Sequence, residues 1–110
     1  MKTRISTGFT VAVLLLVLTG CTAKEKRQAA SHNVTIQAVK FQPQVLTVQK
    51  GDTVVWTNQD IVAHNVTQQP GAAWASSTLQ PGQSWRHVVD ETADYICTLH
   101  PVMKGNIEVE

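Results

Sequence analysis

Short apolar runs separated by turn residues constrain the fold of this chain more than any other feature of its sequence. Residues 34, 36 and 38 alternate with residues 35, 37 and 39 in the manner of the two faces of a strand. Residues 53–57 are rich in β-branched and aromatic side chains. Gly51-Asp52 and Pro81-Gly82 are turn signals. Further β-prone runs occupy residues 45–48, 61–67, 84–89, 94–97 and 106–109. No segment has convincing helical periodicity, so the pattern predicts an all-β, Greek-key β-sandwich of seven to eight short strands.

The first twenty residues have the features of a targeting segment. Lys2 and Arg4 precede an apolar run over residues 9–18, which is shorter than the roughly 20 residues that a transmembrane helix needs. Residues 18–21, Leu-Thr-Gly-Cys, resemble the bacterial lipobox, which implies that Cys21 becomes the first mature residue and carries a lipid. An uncleaved signal anchor and an ordinary signal peptide cut nearby are the alternatives.

This resemblance divides the chain into three parts. Residues 1–20 are interpreted as a lipoprotein signal peptide, residues 21–32 as the lipidated N-terminus with a flexible tether, and residues 33–110 as one folded domain. The protein is therefore expected to be exported and lipid-anchored to a membrane of the bacterial cell envelope, facing the periplasm or the extracytoplasmic side. Without residues 1–20 the net charge is about −1, and no basic cluster indicates nucleic-acid binding.

The small number of cysteines raises a question about the second of them. Small secreted domains often depend on disulfides, but this chain has only Cys21 and Cys97. If Cys21 carries a lipid, Cys97 is a free thiol in an oxidising compartment and needs another explanation. Ligation of a metal ion would supply one.

A metal-ligating pattern surrounds Cys97. The residues Cys97, His100 and Met103 recur at intervals of three, and Pro101 argues against a helix, so we expect a tight loop that joins two strands. A fourth ligand has to come from elsewhere, and His64 is the best candidate. Two imidazoles, a thiolate and a thioether match blue copper sites. Structural zinc is poorly served by a thioether, and calcium and magnesium require oxygen ligands.

Three segments of the sequence resemble the cupredoxins, namely residues 51–58, 63–66 and 94–105. The Cys-x₂-His-x₂-Met spacing is most similar to that of the amicyanin type within this family. The resemblance covers essentially the whole predicted domain, and it implies a single copper ion that cycles between Cu(I) and Cu(II). By the same resemblance, the ion is bound by four side chains: His64, Cys97, His100 and Met103.

The resemblance also implies how these side chains act. The two histidines would bind through imidazole nitrogen, the cysteine through its thiolate and the methionine as a long axial ligand. The backbone N–H of Asn65 would donate to the sulfur of Cys97, and the Asn65 side chain would connect the two ligand-bearing segments near Thr98. Two departures are Ala63 and Leu99, which stand where amicyanin-like proteins commonly have proline.

Each of these residues also has an ordinary structural interpretation. A lone histidine, a lone buried cysteine or a lone methionine is more often a core or surface residue than a metal ligand. Their joint occurrence at the family spacing favours ligation. His32 and His87 are not assigned to copper, and we expect surface or structural roles for both.

The function implied by the resemblance is transfer of single electrons between redox partners, without catalysis of a reaction. The edge of His100 would lie in an apolar patch of Ala63, Leu99, Pro101 and Val102, where partners dock transiently on a monomer. An amine dehydrogenase is the implied donor, but a lipid anchor makes another membrane-side partner equally plausible. The alternative function is copper delivery, storage or resistance at the envelope, which is disfavoured because only Met1 and Met103 are methionines. A copper enzyme would need further copper centres.

Overall fold

The computed structural model of the protein describes residues 27–110, together with residues 2, 3, 8, 12, 15, 16 and 20. Cys21 and most of the predicted signal peptide lie outside the described residues. Within the described part of the chain, no helix has the length and apolar character needed to cross a membrane.

Eight β-strands make up the domain, and none of the residues 27–110 is helical. The strands are β1 (Ser31–Gln37), β2 (Lys40–Gln42), β3 (Val45–Val48), β4 (Thr53–Asn58), β5 (Thr67–Gln69), β6 (Ser84–Val88), β7 (Ala93–Cys97) and β8 (His100–Val109). They form two four-stranded sheets, ordered β2-β1-β4-β6 and β3-β8-β7-β5. Strands β1 and β4 pair in parallel, as do β3 and β8, while the other pairs are antiparallel. The predicted all-β sandwich is confirmed.

The core lies between the two sheets and follows the two-residue period of the strands. In β4 the residues Val54, Trp56 and Asn58 are buried and alternate with partly exposed neighbours. Trp56 packs against Trp85 on β6 and Tyr95 on β7, with ring centroids 5.4 Å away in both cases. One aromatic cluster therefore joins the sheets.

Two segments differ from the predicted pattern. The loop expected between Cys97 and the last strand is only two residues long, because β8 begins at His100 and Cys97 pairs directly with His100. The strand expected over residues 61–67 is also wrong in extent, since β5 begins only at Thr67. Between the end of β4 and the start of β5, His64 forms an isolated bridge with Leu79. Side-chain hydrogen bonds from the preceding polar residues occupy backbone groups there, which competes with a strand ladder.

The direction of the strands places the two ligand-bearing segments at one end of the sandwich. Strand β4 runs toward this ligand end and is followed by His64, while β7 ends there at Cys97 and β8 begins there at His100. The opposite end of the sandwich contains Asp52, just before β4, and Ser31, which pairs with Thr53. The metal-ligating candidates and the start of the folded domain are therefore at opposite ends.

Candidate metal centre

Three of the four predicted ligands converge at the ligand end. The potential ligand atoms of His64, Cys97 and His100 all lie within 4.8 Å of one another. The Sγ atom of Cys97 is 3.8 Å from Nδ1 of His64 and 3.7 Å from Nδ1 of His100. His64 and Cys97 are fully buried, whereas His100 is partly exposed. The sulfur thus faces two imidazole nitrogens at one buried point.

Met103 occupies a buried position three residues after His100 on β8. Alternation along this strand places Met103, Gly105 and Ile107 on its buried face. Only 2 % of Met103 is exposed, and it belongs to the same core cluster as Cys97. The thioether is therefore held in the protein interior, as a weak axial donor would be.

The donor set fits a copper ion. Two imidazole nitrogens lie 3.7 and 3.8 Å from the thiol sulfur, which leaves room for one metal ion between them, and a thioether is buried on the adjoining strand. Soft sulfur donors combined with imidazole select copper over calcium or magnesium. Cys97 is the free cysteine among residues 27–110, so the thiol is available for ligation.

Asp60 holds the His64 ring and was not identified from the sequence. The Nε2–H of His64 donates to Oδ2 of Asp60 at 2.9 Å, and the backbone N–H groups of Val39 and Ile61 donate to the same carboxylate at 2.9 Å each. These hydrogen bonds, from Val39 first and then from His64 and Ile61, lower the pKa of Asp60 to about 2. With Nε2 protonated, Nδ1 of His64 carries the free lone pair that faces Cys97.

Asn58 fixes the segment between β4 and His64. Its buried amide donates to the carbonyls of Val62 and Leu79 at 2.9 Å each, and its Oδ1 accepts the N–H of Asp60 at 2.9 Å. The backbone of His64 in turn exchanges two hydrogen bonds with Leu79. Every polar atom of the Asn58 amide has a hydrogen-bond partner. Asn58 therefore orders the segment that leads to His64 and also Asp60, whose carboxylate orients the His64 ring.

The sequence contains a signal for both Asn58 and Asp60. A carboxylate four residues before a ligand histidine can reach its distal nitrogen when the intervening chain turns back. The amide at the end of β4 supplies that turn, because a side-chain amide can bond backbone groups two residues on. The spacing from Asp60 to His64 therefore indicated an orienting partner.

Asn65 makes the contacts expected of it between the two segments. Its backbone N–H lies 3.4 Å from Sγ of Cys97. Its side chain donates to Oγ1 of Thr98 at 2.6 Å and accepts the Thr98 N–H at 2.9 Å, while the hydroxyl of Thr67 donates to it at 3.1 Å. This residue therefore connects the His64 segment to the turn that follows Cys97.

The apolar residues expected around His100 lie at the surface of the ligand end. Leu99 is 51 % exposed and Val102 is 85 % exposed, while Pro101 is exposed and Ala63 is partly buried. Directly before Ala63, the exposed Ile61 and Val62 extend the apolar surface. We call these residues, 61–63, 99, 101 and 102, the apolar patch.

The two histidines not assigned to copper lie elsewhere. His32 contacts Asp52 at the opposite end of the sandwich, with 2.9 Å between Nε2 and Oδ2. His87 stacks on Trp85 with a centroid distance of 5.5 Å and an interplanar angle of 9°. Burial lowers the pKa of His87. Each of these two histidines therefore contacts residues away from the metal centre, which agrees with the expected surface or structural roles.

Comparison with known proteins identifies the class to which this site belongs. Residues 28–110 match the copper-binding proteins of the plastocyanin/azurin family, and the chain belongs to this family. It is similar to amicyanin-alpha of Methylorubrum extorquens, with 34 % identity over 94 residues that cover 80 % of this chain and 79 % of that protein. The particular resemblance is therefore to amicyanin, as the ligand spacing predicted.

Solved structures support the same relationship. A copper(I) form of an amicyanin mutant superposes with a TM-score of 0.68 at 34 % identity, covering 73 % of this chain and 82 % of that chain. A purple cupredoxin from Nitrosopumilus maritimus superposes with the same TM-score at 28 % identity, covering 72 % of this chain and 99 % of that one. The cupredoxin fold and its copper cofactor thus apply to this chain.

Proposed function

We propose that this protein is a blue copper electron carrier, lipid-anchored through Cys21 at the bacterial cell envelope. The observation that carries the proposal is the convergence of the Cys97 thiol with Nδ1 of both His64 and His100 at one buried point. Met103 would be the fourth ligand, held on the buried face of β8. Similarity to amicyanins supports this assignment.

When bound, the copper ion supplies a one-electron Cu(II)/Cu(I) couple. Hydrogen bonds within the chain hold the donors in position. Asp60 fixes the ring and tautomer of His64, and Asn65 fixes the turn after Cys97. Donors held in this way need little rearrangement when the charge of the centre changes. Four protein ligands would also leave no position for a substrate, so the protein acts as a carrier and not as an enzyme.

Redox partners would dock at the apolar patch. His100 is the only one of the three converging donors that is partly exposed, and its sequence neighbours Leu99 and Val102 are exposed apolar residues. A small apolar contact of this kind suits weak, transient association, which permits rapid exchange of partners. The protein would act as a monomer, because a permanent partner at this surface would block the exchange.

The site assignment is tested by the optical spectrum of the oxidised, copper-loaded protein. A thiolate ligand predicts an intense visible charge-transfer band, and Cys97→Ser should abolish it. Cys21→Ser is the matched control, since it removes the other cysteine and should leave the band unchanged. Copper binding without the band in the native protein would contradict electron transfer and favour copper delivery or storage.

The lipid anchor is tested separately, by the cell fraction in which the protein is recovered. The native chain, expressed in a bacterium, should be recovered in the membrane fraction and in the detergent phase of a phase separation. Cys21→Ser should move it to the soluble fraction or leave it with an uncleaved signal segment, distinguishable by mass. Identical partitioning of the native protein and Cys21→Ser would refute the lipid anchor without affecting the copper site.

A further inference from the structure

A buried carboxylate at the opposite end of the sandwich binds the chain that leads into the domain. The Asp52 side chain is only 1 % exposed and accepts five hydrogen bonds. Two come from the Arg27 guanidinium, at 2.9 Å from Nη1 and 3.3 Å from Nη2. The remaining donors are Nε2 of His32 and the backbone N–H of Ala30, both at 2.9 Å, and the backbone N–H of Gln49 at 3.0 Å.

These contacts make Asp52 a strong attachment point. A buried carboxylate is stable only when its charge is paired and its oxygens accept hydrogen bonds, and Asp52 has both. The hydrogen bonds from Arg27 and His32 hold the pKa of Asp52 well below its usual range, so it is ionised at neutral pH. The two-pronged contact of Arg27 is the geometry in which arginine binds carboxylates best.

The attachment point is remote from the metal centre. Strand β4 begins directly after Asp52 and ends at Asn58, and a strand rises about 3.3 Å per residue, which separates these two residues by about 20 Å. His64 and the apolar patch lie beyond Asn58 at the ligand end. Arg27 is therefore bound on the side of the domain that faces away from His100.

We propose that Arg27 and Asp52 form a latch that fixes the end of the N-terminal segment opposite the metal centre, so that the anchored domain presents its apolar patch away from the membrane. The latch follows from the contacts described above, whereas its effect on orientation rests on the proposed lipid anchor at Cys21. The redox partner that fits this arrangement is a protein that approaches from the aqueous phase, with its docking surface above the lipid headgroups.

The length of the tether gives the latch its effect. Arg27 is six residues after Cys21, and a fully extended chain spans at most about 3.5 Å per residue, so residue 27 of the latched domain stays within about 21 Å of the anchor. When Arg27 is released, the next fixed residue is Ala30, whose carbonyl accepts the Thr53 N–H. The reach of the tether then increases by up to about 10 Å.

If the domain could rotate freely on its tether, its apolar patch could contact the membrane instead of a protein partner. Exposed apolar residues of the apolar patch, such as Leu99 and Val102, favour contact with the lipid interface over water. With the tether attached at the far end and kept short, this surface cannot easily turn toward the headgroups. The latch thus keeps the apolar patch beside His100 free for protein partners.

The latch itself is tested by trypsin digestion of the full chain, without any membrane. Cleavage between residues 27 and 28 requires the side chain at 27 to leave Asp52, so it reports the open fraction. Arg27→Lys keeps the positive charge but loses the two-pronged contact, and this cleavage should become several-fold faster once each rate is divided by that of the same chain unfolded in urea, which removes trypsin's own preference for arginine over lysine. Lys26→Arg is the matched control and should leave the normalised 27–28 cleavage rate unchanged. Equal normalised rates in native protein and Arg27→Lys would overturn the latch.

The orientation is tested with the lipidated, copper(I)-loaded protein on vesicles of phosphatidylethanolamine and phosphatidylglycerol. A nitroxide attached at Val102→Cys should be relaxed mainly by a water-soluble reagent, which shows that the apolar patch faces water. Adding Arg27→Gln should increase relaxation by membrane-dissolved oxygen several-fold, whereas Lys26→Gln, with the same loss of charge, should not. An unchanged nitroxide environment in Arg27→Gln would overturn the orienting role.

The two readouts separate failure of this inference from failure of the proposed function. If the native chain did not bind the vesicles, the anchor and the orientation would both be refuted, while the trypsin result would still decide the latch. If the copper-loaded protein lacked the charge-transfer band, the carrier function would be refuted, while the trypsin and nitroxide results would still decide the latch and the orientation, because both are measured at residues that are not copper ligands.

Discussion

Replacing Asp60 by asparagine tests how the chain holds the His64 ring at the metal centre. Oδ2 of Asp60 accepts both the Val39 N–H and the Nε2–H of His64, and Oδ1 accepts the Ile61 N–H. Both oxygens therefore face donors. Asparagine has a single carbonyl oxygen, so its NH₂ group must face either Ile61 or the pair formed by Val39 and His64.

The expected consequence is weaker copper binding. In one orientation the amide keeps the bond to His64 but lacks negative charge, so the imidazole becomes a less basic ligand. In the other orientation the bond to Nε2 is lost, and the ring and its tautomer are no longer fixed. Loss of a partner that orients a ligand histidine typically lowers metal affinity about 10- to 100-fold, and we expect Asp60→Asn to fall in this range.

The assay is a competition titration of Cu(I) against a chromophoric chelator at neutral pH. Glu108→Gln is the matched control, because it removes the same charge from an exposed position near the end of β8, remote from the ligands. The Glu108→Gln variant should bind copper as the native protein does. If Asp60→Asn bound copper as tightly as this control, the proposed role of the carboxylate would be refuted.

Three further predictions follow from the packing around the site. Gly105 faces Tyr95 across the β7–β8 pair, and a Cβ at 105 would collide with the buried Tyr95 ring, so Gly105→Ala should destabilise the fold by about 1–3 kcal/mol in urea unfolding; an unchanged midpoint would contradict this close packing. Asn65→Ala removes three side-chain hydrogen bonds, partly exposed to water, and should lower the free energy of unfolding in urea by about 2 kcal/mol. Thr98→Ala keeps the hydrogen bond from the backbone N–H of residue 98 to Asn65 and should lower the free energy of unfolding by less. Equal losses in the two variants would be inconsistent with the observed network. Burial raises the pKa of Tyr95, the one tyrosine of the chain, to about 12, so phenolate absorbance should appear near pH 12 in folded protein and near pH 10 in urea, and the Tyr95 contribution to stability should be lost as the pH rises between these values; coincident titrations would refute the buried environment.

The opposite ends of the sandwich have different roles in this protein. At the ligand end, Asn58 and Asp60 order the segment that precedes His64. At the other end, Asp52 orders the segment that precedes β1. At each end, a carboxylate accepts hydrogen bonds from backbone N–H groups and from a histidine ring. The first arrangement holds a donor toward the metal, and the second holds the entering chain against the domain.

The sequence alone determined the class of fold and the identity of the predicted ligands. Alternation and turn residues are local properties, so they indicated short strands without knowledge of their partners. The spacing of Cys97, His100 and Met103 was also local, and only a distant histidine could complete the set. His64 was the suitable candidate because it lies beside a strand that a sandwich can pack next to the Cys97 loop, and the structure places its Nδ1 atom 3.8 Å from the thiol.

Only the tertiary structure decided how these donors are held. The contact of Asp60 with both Val39 and His64 joins segments 21 residues apart, and the contact of Asp52 with Arg27 joins segments 25 residues apart. No local pattern indicates which donors from distant segments a carboxylate will meet, because that depends on the pairing of strands from different parts of the chain. The same pairing extended β8 back to His100, where the sequence predicted a longer loop. The spacing of residues indicates which side chains are ligands, whereas the orientation of those side chains depends on long-range packing.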